Sequence, residues 1–141
     1  MIDQTVGDVM TPSVQTITEE ATVTEIAKLF AGYDIGSAIV ADESANLLGI
    51  VTESDVMEQI AAGDDTRSVP AGEFMSSPVI TTESTECIHE AAKLMKQRSV
   101  RRLPVVDDGN IVGVLTTTDL VNYMPTLRSA ILRERNVATG N

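Results

Sequence analysis

At 141 residues with 43% apolar content, the chain is the size of one ordinary domain, and no apolar run approaches the length of a membrane span. Ten lysines and arginines against 21 acidic residues leave a formal net charge of −11, which argues against a general nucleic-acid binder, because neutralising phosphates needs a basic face. The acidity, with lysine only at positions 28, 93 and 96, fits either simple solubility or adaptation to high salt.

The first predicted element is a brief strand after a proline, Pro12-Ser13-Val14-Gln15-Thr16-Ile17, rich in β-branched residues. An amphipathic helix follows, its apolar face made by Val23, Ile26, Ala27, Leu29 and Phe30, with Thr22 and Glu25 in a capping-box pattern at its start. Ser37 to Ala41 and Leu47 to Thr52 read as two strands around a turn, and a second helix is placed from Asp55, where Asp55 and Glu58 suggest a cap. Ala62 to Gly72 is polar and rich in helix breakers, and reads as a linker.

The chain then repeats itself. An offset of 65 residues puts Gly7 on Gly72, Met10 on Met75, Thr16 on Thr81, Glu25 on Glu90, Val40 on Val105 and Asp42 on Asp107. One residue is lost in the next turn, so Asn46, Gly49, Thr52 and Asp55 meet Asn110, Gly113, Thr116 and Asp119 at an offset of 64. The second copy therefore predicts a strand at Pro78 to Thr81, a helix with Ile88, Ala91, Ala92, Leu94 and Met95 on its buried face, strands at Leu103 to Val106 and Ile111 to Thr116, and a helix from Asp119. Cys87 stands where the first helix has its Thr22 cap. Residues 1–63 form repeat 1, 64–71 the linker, 72–126 repeat 2, and 127–141 a short helix and tail. Two half-size units of about 60 residues would be marginal alone, so the expected body is a mixed α/β (α+β) pair of β-α-β-β-α repeats packed through their sheets with pseudo-twofold symmetry.

Chemistry concentrates where the last strand of each copy enters its helix. Gly49-Ile50-Val51-Thr52-Glu53-Ser54-Asp55 is echoed by Gly113-Val114-Leu115-Thr116-Thr117-Thr118-Asp119. Helix N-termini present free N–H groups, hydroxyls donate to phosphate oxygens, and a carboxylate accepts from sugar hydroxyls; the same residues are also good helix caps. His89 has no catalytic companions, the element lacks the lysine of a P-loop, and Met10, Met57, Met75, Met95 and Met124 read as core or packing residues. The lone Cys87 has neither a disulfide partner nor metal-ligand spacing around it, which fits a reducing cytoplasm; no secretory signal or anchor is recognisable.

The doubled unit, Met10-Thr11-Pro12, Arg101-Arg102-Leu103-Pro104-Val105-Val106-Asp107 and the Gly-x-x-Thr-x-x-Asp element in both copies resemble a tandem pair of CBS (cystathionine-β-synthase-type) domains, a Bateman module, over about residues 7 to 126. The resemblance implies a regulatory module, not an enzyme, that binds AMP, ADP, ATP or S-adenosylmethionine in clefts between the repeats, holds no tightly bound cofactor or metal, and forms a homodimer. One cleft would combine Thr52, Ser54 and Asp55 with Val100, Arg101, Arg102 and Pro104 above Thr81. The other would combine Thr116, Thr118 and Asp119 with Ile35, Gly36, Ser37 and Ala38 above Thr16. Asp55 and Asp119 would hold ribose, the hydroxyls phosphate, and the strand edges adenine. Arg101 and Arg102 would favour phosphorylated ligands in the first cleft, because guanidinium groups offer paired donors. The output would pass to an unidentified effector protein in the cytoplasm, with no nucleic acid or membrane involved. The alternative is an interaction module with degenerate, empty clefts that modulates a partner enzyme or transporter.

Overall fold

The structure, a computed structural model, describes residues 4–12, 14–63 and 65–123. The elements in order are α1 (Val6–Val9), β1 (Thr16–Ile17), α2 (Val23–Tyr33), β2 (Ser37–Ala41), β3 (Leu47–Thr52), α3 (Glu53–Ala61), α4 (Ala71–Phe74), α5 (Ile88–Arg98), β4 (Arg102–Asp107) and β5 (Asn110–Thr116), followed by a helix α6 at 117–123. The fold is mixed α and β with small sheets. One compact unit draws on residues 14–63, 65–80 and 109–111, the other on 4–12, 81–108 and 112–123.

In the first unit β1 runs parallel to β2, and β2 pairs antiparallel with β3. The side chains of Val23, Ile26 and Phe30 on α2 pack with Ala38 and Val40 of β2, Val51 of β3, Val56 of α3 and Ala71 of α4. The i, i+3, i+7 spacing of the three helix residues puts them on one face, which is why this helix settles on the sheet. The second unit buries Ile88, Ala91 and Met95 at the same spacing on α5, with Leu103, Val105 and Leu115 of β4 and β5. Thr22 caps α2 in a full capping box, its Oγ1 accepting from the Glu25 N–H at 3.3 Å while the Glu25 carboxylate accepts from the Thr22 N–H at 3.2 Å. Cys87 at the start of α5 makes no such side-chain bond, as its chemistry dictates.

Each unit is completed by a segment that the chain supplies from outside its own β-α-β-β-α run. The leader of the chain joins the second unit, where the N–H groups of Val6 and Gly7 donate to the Glu86 and Ser84 carbonyls, both at 2.8 Å. The inter-repeat segment joins the first unit, where Ala71 and Gly72 donate to the Ala21 and Glu19 carbonyls at 2.8 and 3.0 Å. The stretch read as a linker pairs with the first unit through a bridge from Pro70 to Thr22 and leads directly into α4. The crossing points are glycines. A Cβ on Gly49 would lie 2.6 Å from Met75 Sδ and 2.9 Å from the Ser76 carbonyl, and one on Gly113 would lie 2.6 Å from Met10 Sδ and 2.8 Å from the Thr11 carbonyl.

The structure corrects five sequence readings. The strand expected at 12–17 is confined to Thr16–Ile17, and the one at 78–81 is replaced by a single bridge from Thr82 to Val105. Met57 is 67% exposed instead of buried, on the outer face of α3. The helices after β3 and β5 begin at Glu53 and residue 117, ahead of Asp55 and Asp119. The Asp55–Glu58 cap is absent because Thr52 is the N-cap residue and Asp55 its reciprocal partner. The tail helix placed at 127–141, and Met124, lie outside the described residues.

The residue lost between the copies has a physical origin. The second hairpin turns through Asp108 and Gly109, both with positive φ (50° and 80°), the two-residue turn whose twist suits adjoining strands. The first copy closes a longer turn with Asp42, whose carboxylate accepts from the Ser44 and Asn46 N–H groups, both at 2.9 Å, and from Asn46 Nδ2 at 3.0 Å. A bulge at Val40/Ala41 absorbs the register change.

Candidate functional site

The Gly-x-x-Thr-x-x-Asp element is, in both copies, a capping box at the strand-to-helix junction. Thr52 ends β3, and its N–H and Oγ1 both donate to Asp55 Oδ2, at 2.8 and 3.1 Å, while Oγ1 lies 3.4 Å from the Asp55 N–H it accepts. Thr116 ends β5, its N–H donating to Asp119 Oδ2 at 2.9 Å and its Oγ1 accepting from the Asp119 N–H at 3.1 Å. A threonine followed three residues later by a carboxylate satisfies two otherwise unpaired helix N–H groups reciprocally, which explains the spacing without any ligand. The box leaves the carboxylates fixed at the chain's turn into the helix, half-buried, with the neighbouring Ser54 and Thr118 exposed.

The strand edges lie beside the junction of their own copy. Ser37 is the register partner of Thr52, and the Gly36 carbonyl accepts from the Glu53 N–H at 3.0 Å. Ile35 and Gly36 are half-buried there, and Ala38 is buried opposite Val51. In the second unit the Arg101 carbonyl accepts from the Thr117 N–H at 3.0 Å, so Val100, Arg101 and Arg102 adjoin Thr116. Arg101 is exposed and Arg102 half-buried, while Pro104 is buried and its carbonyl accepts from the Thr82 N–H at 3.0 Å. Thr16 is exposed on β1 opposite Ile39, and Thr81 is exposed one residue before the bridge to β4.

The two carboxylates differ in how far the protein satisfies them. Among the described residues Asp55 Oδ1 has no hydrogen-bond partner. Asp119 Oδ1 accepts from Thr11 Oγ1 at 3.0 Å, a residue 108 positions away. Asp119 also lines a cavity of ≈ 370 Å³ within the second unit, with Gln4, Asp8, Asn122 and Tyr123. The Tyr123 hydroxyl is buried without a partner among the described residues; burial, reinforced by the nearby Cys87 sulfur, pushes its pKa up. Thr11 entered the sequence reading only within Met10-Thr11-Pro12, and neither its contact with Asp119 nor the presence of Gln4 and Asp8 at this junction was signalled there. Their proximity depends on docking of a segment more than a hundred residues away, which leaves no local pattern.

The acidic loops behave differently again. Ser84 donates to Asp107 through its N–H at 2.9 Å and its hydroxyl at 2.5 Å, and these bonds hold the Asp107 carboxyl below the usual carboxylate range. At the equivalent of Ser84 the first copy has Glu19, whose ionised side chain cannot donate, and Asp42 turns instead to Asn46 and Ser44, with the same downward effect. Among the described residues no group of three or more His, Cys, Asp or Glu side chains is placed to hold a metal ion, and no helix is long and apolar enough to cross a membrane.

Comparison with known proteins matches the CBS-domain family profile to residues 6–62 and 71–126. The chain is 37% identical over 131 residues to the protein MK0525 of Methanopyrus kandleri, covering 92% of this chain and 67% of that one. Among solved structures, the CBS domain pair of MJ0100 in complex with 5′-methylthioadenosine and S-adenosyl-L-methionine is 25% identical with a TM-score of 0.80, covering 89% of this chain and 98% of that one. CBSX2 in complex with AMP is also 25% identical, with a TM-score of 0.76 over 89% of this chain and 98% of that one.

Proposed function

Because the chain belongs to the CBS-domain family and carries two copies of the domain as a regulatory pair, we propose that it is a sensor of an adenosine-containing ligand. The observation that carries the reading is the Asp55 carboxylate, locked in orientation by Thr52 through Oδ2 while Oδ1 is open to a donor. A ribose presents two adjacent hydroxyl donors, and a fixed charged acceptor binds a hydroxyl more strongly than a neutral one. Thr52, Ser54, Thr116 and Thr118 stand near enough in sequence to these acceptors to meet phosphate or sugar oxygens. Ile35 to Ala38 and Val100 to Pro104 bring backbone and apolar groups suited to a base. Arg101 and Arg102 supply cations that a net charge of −11 makes necessary for an anionic ligand. AMP, ADP, ATP, S-adenosylmethionine and methylthioadenosine share the adenosine moiety. The complexes of MJ0100 and CBSX2 support that class.

Occupancy passes to a partner protein or to a homodimer of this chain; the protein has no catalytic role of its own. Exposure of Met57 (67%) and Val121 (61%), equivalent positions of α3 and α6, suits an apolar contact with such a partner. A second reading, an interaction module without ligand, draws on Asp119, whose two oxygens are both engaged by the protein.

A thermal-shift panel of AMP, ADP, ATP, NAD, S-adenosylmethionine and methylthioadenosine separates the two readings. A ligand at about 100 times its dissociation constant stabilises the folded state by roughly 2.7 kcal/mol, a shift of several degrees for a chain of this size. No shift with any of the six favours the interaction module.

A further inference from the structure

The repeats place Thr11 and Ser76 at equivalent positions, yet only Thr11 engages its junction carboxylate. Both segments are held by paired backbone hydrogen bonds. Thr11 exchanges N–H and carbonyl bonds with Val114 at 2.9 and 3.0 Å, and Ser76 does the same with Ile50 at 2.9 and 3.1 Å. The difference is therefore in the side chains. The Thr11 hydroxyl donates to Asp119 Oδ1 at 3.0 Å, while Asp55 Oδ1 has no partner among the described residues. The junction threonines differ too. Both hydroxyls accept from the N–H of their Asp, but Thr52 also donates its proton to Asp55 Oδ2, a bond that Thr116 does not make to Asp119 among the described residues.

We propose that Thr11 is a specificity-determining residue, an exposed hydroxyl of the second unit that competes with a ribose for Asp119, so that the Asp55 junction fills first and the Asp119 junction is held in reserve at higher ligand concentration. The proposal rests on the reading that these carboxylates take ribose hydroxyls. A carboxylate oxygen can accept more than one hydrogen bond, so Thr11 weakens the second junction without abolishing it. With its backbone pinned to Val114, the Thr11 hydroxyl is presented at little entropic cost, and a ribose hydroxyl must share or displace it. The result is one protein that responds to the same ligand over two concentration ranges.

The test is a calorimetric titration with AMP of the wild-type protein and of T11V and T11S, each also carrying D55N so that only the Asp119 junction is read. Valine keeps the shape and both backbone bonds while removing the donor. T11V is expected to tighten binding at the Asp119 junction about fivefold, the scale of one partly solvated hydrogen bond to a charged group. T11S, which keeps the hydroxyl, stays within about twofold of the D55N parent. An unchanged affinity in T11V overturns the proposal, and weaker binding overturns it too, because Thr11 would then help hold the ligand. In both of those cases the adenosine reading stands, since AMP still binds. No AMP binding in wild type, D55N or T11V overturns that reading and the proposal with it.

Discussion

Replacing Gly113 by alanine tests how the units are completed. The new Cβ would lie 2.6 Å from Met10 Sδ, 3.2 Å from Met10 Cγ and 2.8 Å from the Thr11 carbonyl oxygen. The sulfur ends a flexible side chain and can swing aside. The carbonyl cannot, because it accepts from the Val114 N–H at 3.0 Å, in the residue next to the substitution. Relieving the clash means moving the leader off β5 by about half an ångström, which strains that pair of bonds. Overpacking of this kind costs about 1–3 kcal/mol, and replacing a strand glycine by alanine returns about 0.5–1 kcal/mol in chain entropy. The net loss, about 1 kcal/mol at mid-range and at most about 2.5 kcal/mol, lowers the melting temperature by roughly 3–4 °C per kcal/mol. Urea unfolding followed by far-ultraviolet circular dichroism should show a lower midpoint at unchanged slope. G49A, which meets the Ser76 carbonyl at 2.9 Å, should behave alike. A second substitution, M10A, should rescue G113A only in part, since it removes the sulfur and leaves the carbonyl. A G113A protein as stable as wild type, or complete rescue by M10A, would refute the backbone argument.

Gly32 provides the opposite case. It lies exposed in α2, where a Cβ meets nothing within 4 Å, so G32A should raise stability by up to about 1 kcal/mol in the same unfolding assay. Removing the cap hydroxyl with T116V should cost about 0.5–2 kcal/mol, read by chemical denaturation, because the Asp119 N–H loses its acceptor. Asp107 has a lowered folded pKa, so its contribution is complete above the unfolded carboxylate value and is lost as pH falls through the folded one. S84A should therefore lower the melting temperature above about pH 5 and make its fall toward acid shallower, because the Asp107 carboxyl then titrates nearer its unfolded value and the two proteins converge at low pH. A profile that runs parallel to the wild-type one, with an equally steep acid limb, would show that the Ser84 bonds are not coupled to folding.

The repeat was legible because duplication leaves local marks: helix faces at Val23, Ile26, Phe30 and Ile88, Ala91, Met95, and glycines at equivalent strand positions. The cap at Thr22 and its loss at Cys87 could likewise be read from side-chain chemistry. At the junctions the paired Thr and Asp were visible but their division of labour in the cap was not. Asp is a good N-cap in general, and only the helix start at Glu53 shows that Thr52 holds that place and Asp55 answers it. The segment at Pro78 to Thr81 has strand-forming residues but gains only one bridge, because tertiary pairing, not propensity, decides whether so short a run becomes a strand. Met57 looked like a core residue because hydropathy does not say which side of a helix has a neighbour. The contact of Thr11 with Asp119 spans 108 positions and could not be read locally at all.

The central claim is that a junction carboxylate recognises ribose hydroxyls. It is tested most directly by titrating the unaltered protein with AMP and with its 2′,3′-dideoxy analogue, which keeps base and phosphate and deletes only the two donors. Hydrogen bonds from a hydroxyl pair to a charged acceptor predict at least about tenfold weaker binding of the analogue. Equal affinities for the two ligands would contradict the account.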